Sequence, residues 1–234
     1  MKSSNPTLSL KHQKDQLKKE RTQFLLSLLN DGEASERLLE WGGRLALENE
    51  NWSIAESIFA SLLERRRNAE DLAGLGQALL QQNRLEEAEE CFLDALNYIM
   101  EPCPLLFIVQ KNLGYICLLN HNFEMAEEYF NKAYTLNPQS SSLQFQKAYL
   151  HLKQGEYKAA ESGFKNLLQN QPNNSKAWLG LALSRRAMNE WKLAEACLFQ
   201  CLDLDSQNKQ ALQLRDQWAK TDSDLIASEF AFAS

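Results

Sequence analysis

The chain has 234 residues, 44% of them apolar and 24% charged, with a net charge of -6. That length and apolar content can bury a sizeable core, and the acidic balance argues against a nucleic-acid binder, because phosphate contacts need a basic face. The apolar run Phe24 to Leu29 is interrupted by Ser27 and is too short for a signal-peptide core or a membrane span, so no integral membrane segment and a cytoplasmic location are expected.

Taken in order, Leu17, Phe24, Leu25, Leu28 and Leu29 with Lys11, Lys14, Lys18, Lys19 and Arg21 predict a basic amphipathic helix within residues 1–35. It either packs on the open end of the helices after residue 35 or lies on an anionic membrane surface. From residue 36 a small-large-small set recurs: Ala55, Phe59, Leu62; Ala88, Phe92, Ala95; Ala126, Phe130, Ala133; Ala160, Phe164, Leu167; and Ala194, Leu198, Cys201. The last three sets are 34 residues apart, and a second series, Trp52, Leu85, Phe123, Tyr157 and Trp191, keeps three residues ahead of the leading alanine. Each unit holds two stretches of helical apolar spacing around a short polar turn such as Asn120-His121-Asn122, which makes it a helical hairpin.

These residue types, spacing and period resemble the tetratricopeptide repeat (TPR), whose 34-residue pattern is Trp, Leu-Gly, Tyr, Ala, Phe, Ala and Pro. The resemblance implies an all-α fold, a right-handed TPR superhelix (alpha-solenoid) of about five repeats at 36–68, 69–102, 107–140, 141–174 and 175–208, read as one elongated domain. Gly42-Gly43 stands where the family has Leu-Gly, and the first unit ends in Arg65-Arg66-Arg67 in place of a proline, so its boundary is the least defined. Four extra residues, Cys103 to Leu106, follow Pro102 and contain Pro104, which predicts a lengthened turn and a changed repeat angle. Ala211, Leu212, Leu214, Arg215 and Trp218 then predict a capping helix over 209–220, with a flexible tail over 221–234.

No catalytic residues, metal site or cofactor are read from the chain. His12, His121 and His151 have no serine or cysteine partner at a suggestive position, and there is no phosphate-cradling glycine loop. Cys91, Cys103, Cys117, Cys197 and Cys201 are expected to be free thiols in a reducing compartment. Pairs such as Glu86-Glu87, Glu89-Glu90 and Glu127-Glu128 read as the solvated face of second helices.

In TPR proteins positions 2, 5, 9 and 12 of each first helix line the concave groove. Here that stripe reads Arg37, Glu40, Arg44 and Leu47, then Glu70, Ala73, Gln77 and Leu80, which is largely polar. It becomes Ile108, Lys111, Tyr115 and Leu118, then Ser142, Phe145, Tyr149 and Leu152, then Lys176, Leu179, Leu183 and Arg186, which is apolar and aromatic with basic edges. An apolar patch of this kind marks a protein-binding surface, unless neighbouring helices bury it. The family's two-carboxylate clamp for acidic C-terminal peptides is incomplete: Lys111 and Asn112 fit, but Ala73, Gln77, Ser142 and Gln146 do not. The expected function is a non-enzymatic adaptor or scaffold that takes a peptide or helix with apolar and acidic anchors. The alternative is a chaperone shielding an apolar segment of a client. The tail, with Asp222, Asp224, Leu225, Ile226, Glu229, Phe230 and Phe232, is a candidate competitor for the groove or a route to self-association.

Overall fold

The computed structural model describes the backbone of residues 6–32 and 34–232, and the side chains of residues 16–32 and 34–220. Among the described residues the chain is all α, with twelve helices. α1 (Pro6–Asn30) precedes five sequential pairs: α2 (Glu36–Glu48) and α3 (Trp52–Arg65), α4 (Ala69–Gln81) and α5 (Leu85–Leu96), α6 (Pro104–Leu119) and α7 (Phe123–Leu136), α8 (Ser141–Gln154) and α9 (Tyr157–Asn170), α10 (Ser175–Ala187) and α11 (Trp191–Leu204). α12 (Lys209–Phe232) completes the series.

The turn inside each pair is the same device. Its middle residue is left-handed: Glu50, Asn83, His121 and Asn189 have φ of 59–61° and Gly155 has 81°. The next N–H then donates to the carbonyl five residues back, Asn51 to Ala46, Arg84 to Leu79, Asn122 to Cys117, Glu156 to His151 and Glu190 to Arg185, at 2.8–3.1 Å. These bonds satisfy carbonyls that the ending helix leaves open.

First helices are capped by side chains at the same register. Ser35, Asn68, Ser140 and Asn174 accept the N–H three residues on, from Leu38, Asp71, Leu143 and Ala177, and Asn208 does so for Ala211 at 3.0 Å. α6 departs from this. Its N-cap position is Cys103, which makes no side-chain cap, and Pro104 occupies the first turn, where its missing N–H costs nothing. Three of the four inserted residues thus extend α6 at its start, and Cys103 ends a connection over 97–103 that is longer than the others.

Contacts gather in two compact units, where the repeat pattern leads one to expect a single elongated domain. The first comprises residues up to 122 with 131–136, and the second comprises 123–130 with 137 onward. In a repeat chain each element touches only near neighbours, so no central core ties distant hairpins together. The division does not fall at Pro102 and Pro104, because α6 packs on α4 and α5.

In the first unit, Phe59 on α3 lies against Gly43 of α2 and Gly74 of α4. A Cβ at either glycine would come within 2.8 Å or 2.4 Å of the ring, so only glycine admits it. Gly42, where the family has leucine, makes room for α1: a Cβ there would lie 2.4 Å from Leu28 Cδ2. Leu25 and Leu28 are buried with Ile58 and Phe59 in one cluster. Arg21 donates to Asn49 at 3.1 Å, and Phe24 meets Trp41 edge-on at 5.6 Å. The described part of the basic helix therefore docks its apolar side on the first repeat.

In the second unit, Phe164 on α9 lies against Gly180 of α10, whose Cβ would come 2.4 Å from the ring. Phe164, Leu198, Cys197, Cys201 and Trp218 belong to one buried cluster. Ala211 and Trp218 bring α12 onto it. The backbone of α12 is helical to Phe232, past Thr221, where the expected tail begins; no glycine or proline interrupts residues 209–232. The side chains from Asp222 to Phe232 lie outside the described residues.

Candidate functional site

The apolar stripe is fullest in the second unit. α8 is started by the Ser140 cap, and Trp178 of α10 donates its indole N–H to the Pro172 carbonyl at 2.7 Å. On α8, residues four apart share a face. Phe145 stacks on Tyr149 at 6.3 Å with 7° between planes, and Lys153 places its ammonium 5.3 Å from the Tyr149 ring. Phe145 also meets the buried Phe164 edge-on at 5.7 Å. Phe145, Tyr149, Leu152 and Leu183 are all half-buried against the same cluster. They form a continuous surface of rings and aliphatic chains whose backs are core and whose outer parts are open.

Along α10 the stripe splits. Lys176 is exposed, Leu183 is half-buried and Leu179 is buried at 7% exposure. Because α8 packs on α10, Leu179 belongs to the core and offers little surface. Arg186 lies 3.6 Å from the Trp191 ring centre and 4.9 Å from that of Trp218. Arg186 thus links α10, α11 and α12 through cation–π contacts with the two indoles. Arg186, read from the sequence as a basic edge of the groove, is half-buried in this arrangement. Lys153, which the sequence offers with Lys111 and Lys176 as a basic edge of the apolar stripe, is exposed one turn beyond Tyr149.

The α6 stripe belongs to the first unit. Ile108 is exposed, Lys111 and Tyr115 are half-buried, and Leu118 is buried at 2% exposure. Burial alone pulls the Lys111 ammonium below its usual pKa, and it lies 5.9 Å from the centre of the Phe107 ring. Asn112, the second half of the partial carboxylate clamp, is itself buried at 8%, so Lys111 and Asn112 do not present a clamp together.

The polar stripe of α2 and α4 is partly structural. Glu40 pairs with Arg66, which also reaches Glu36 at 3.3 Å and Asp71 at 3.1 Å. Asp71 is 1% exposed and also accepts from the Asn68 amide at 2.8 Å. Its carboxyl sits above the usual range because burial disfavours the charge, against the pull of Arg66. Arg65 donates to the Ala34 carbonyl at 2.7 Å, and Arg67 pairs with Asp94. The basic run that replaces the closing proline thus stitches the first repeat to its neighbours. Spacing to acids in other helices is not readable from sequence.

Among the described residues, no group of three or more His, Cys, Asp or Glu is placed to hold a metal ion, and no helix is long and apolar enough to cross a membrane. Tetratricopeptide repeat family models match residues 72–139 and 145–202. Similar solved structures include YrrB, a TPR protein with an unusual peptide-binding site, at 18% identity and a TM-score of 0.56 over 82% of this chain and 97% of that one. The APC/C hetero-tetramer Cut9–Hcn1 matches at 15% identity and 0.72 over 88% of this chain and 40% of that one. A tetratricopeptide repeat protein from Parabacteroides merdae matches at 18% identity and 0.67 over 83% and 75%. No curated protein sequence matches the chain. The repeat period, the matched family models and the shared fold agree: the chain belongs to the tetratricopeptide repeat family.

Proposed function

We propose that the chain is a non-enzymatic interaction protein, an adaptor or scaffold, that binds a peptide or helix of a protein partner on the α8–α10 face. The observation that carries this reading is the line Phe145, Tyr149, Lys153, in which two stacked rings end in a cation. Half-buried Leu152 and Leu183 widen it, and exposed Lys176 adds a second positive edge. Rings fixed from behind give contact area at little entropic cost, which is the usual make-up of an interface anchor. The ligand that fits has apolar anchors flanked by carboxylates. The peptide site for which YrrB is described is a precedent on this fold. Five free thiols, three of them buried, suit a reducing compartment such as the cytoplasm.

The test is selection of displayed 12-residue peptides on the full chain, followed by calorimetry of the winners. Enrichment of Phe or Leu beside Asp or Glu, with affinity reduced at least tenfold by Tyr149→Ser or Lys153→Glu at unchanged helicity, is the expected result. Winners indifferent to both substitutions would overturn the assignment.

A further inference from the structure

A separate channel of about 1070 Å³ opens in the first unit, between α3 and α5. Both helices pack on α4, whose Leu72 and Leu75 form the floor. Leu63 on one wall and Leu93 on the other keep the channel apolar, and Leu93 is 43% exposed. The rim is acidic, with Glu64 on α3 and Glu86, Glu89 and Glu90 on α5. Among the described residues no cation pairs with any of these four carboxylates. The one lining cation, Arg67, is already held by Asp94. A solvated acidic face has no need of an apolar floor or of an open leucine between its charges.

We propose that this channel is a second docking site, which takes a basic amphipathic helix of a protein partner. Charge complementarity selects the occupant: leucine-type side chains enter the channel and lysine or arginine side chains reach the rim. The walls, 14 residues of α3 and 12 of α5, run roughly 18–21 Å at helical rise, which fits a partner helix of three to four turns. Cys91, half-buried in the lining, has its thiol pushed up to about 11 by burial and the neighbouring carboxylates, in keeping with a negative field there.

The test uses the full chain and a fluorescein-labelled 16-residue helix with leucines at i, i+3, i+4 and i+7 and lysines elsewhere, followed by anisotropy. Binding should weaken about tenfold in the triple variant Glu86→Gln, Glu89→Gln, Glu90→Gln, as expected for three exposed ion pairs. Leu93→Ser should weaken it several-fold. A control triple variant, Glu124→Gln, Glu127→Gln, Asp203→Asn, should bind as the native chain does. Equal losses in both triple variants would mean non-specific charge attraction and would overturn the proposal. Loss of binding in Tyr149→Ser would put the peptide on α8 and overturn it as well. Sedimentation of the native chain checks the remaining occupant: a dimer that dissociates in Leu93→Ser would make the channel a contact between copies, not a partner site.

Discussion

The α2–α5 and α8–α11 regions have the same interior and opposite surfaces. In each, a phenylalanine from a second helix lies against a glycine of the next first helix, Phe59 at Gly74 and Phe164 at Gly180. In the earlier region Glu40 of the first-helix stripe joins Glu36 and Asp71 in an ion network around Arg66. In the later one it carries stacked rings and a lysine over them. The repeat period constrains what lies between helices and leaves the outer stripe free to serve either attachment of neighbours or contact with a partner. Substitutions at equivalent repeat positions therefore remove the same interior contact but different outer ones.

The largest effects should come from the shared interior. Phe59→Ala and Phe164→Ala each remove a buried ring and should cost about 3–5 kcal/mol in urea unfolding. Similar losses at the two positions would show that the anchors are equivalent; a loss below about 1 kcal/mol at either would mean that ring does not hold its hairpin. Gly74→Ala and Gly180→Ala approach the same contacts from the other side. Each adds a Cβ only 2.4 Å from a ring carbon, and the strain should cost about 1–3 kcal/mol.

The difference between the regions is probed at Arg66. Arg66→Met leaves the Asp71 carboxylate with only its Asn68 partners in a buried site, and the loss should be about 2 kcal/mol at neutral pH. The sign with pH is distinctive. Asp71 is already raised in the fold, chiefly by burial, so folding favours its protonated form; that contribution is present below its unfolded pKa and fades as pH rises through the folded one. Removing Arg66 raises the folded value further. The variant's deficit should accordingly shrink as the pH is lowered from neutrality towards the usual carboxylate range. A deficit constant with pH would assign the loss to packing of the arginine stem.

Much of the fold was legible because it is periodic. The positions of Phe59, Phe92, Phe130 and Phe164, all buried, follow from spacing alone, and so do the turn positions. The caps at Ser35, Asn68, Ser140, Asn174 and Asn208 obey the same register and could have been read, since Ser and Asn stand one residue before each start. The α8 face was legible for the same reason. What was not legible depends on contacts between helices far apart in sequence: the fixing of Arg186 by Trp191 and Trp218, the burial of Leu118 and Leu179, and the use of Arg66 as a tie. A pattern of residue types names which face a side chain occupies, but the neighbour that covers that face comes from another hairpin.

The turns should respond least. Glu50 and Gly155 hold the same left-handed position in the first and fourth pairs, at φ of 60° and 81°. For a side chain with a Cβ that conformation costs about 1–2 kcal/mol, and asparagine tolerates it better than glutamate does. Glycine relieves the strain, while the freedom it adds to the unfolded chain returns roughly 0.5–1 kcal/mol of the gain. Glu50→Gly should thus stabilise by about 0.5–1 kcal/mol, with smaller gains for Asn83→Gly and Asn189→Gly. Gly155→Ala should destabilise by about 1 kcal/mol, because alanine brings the strain without a capping side chain. Midpoints of urea unfolding at unchanged slope measure all four. If Glu50→Gly is neutral or harmful while Gly155→Ala is harmful, the two turns are not equivalent, and the glutamate side chain supports the first hairpin in a way its backbone angle does not reveal.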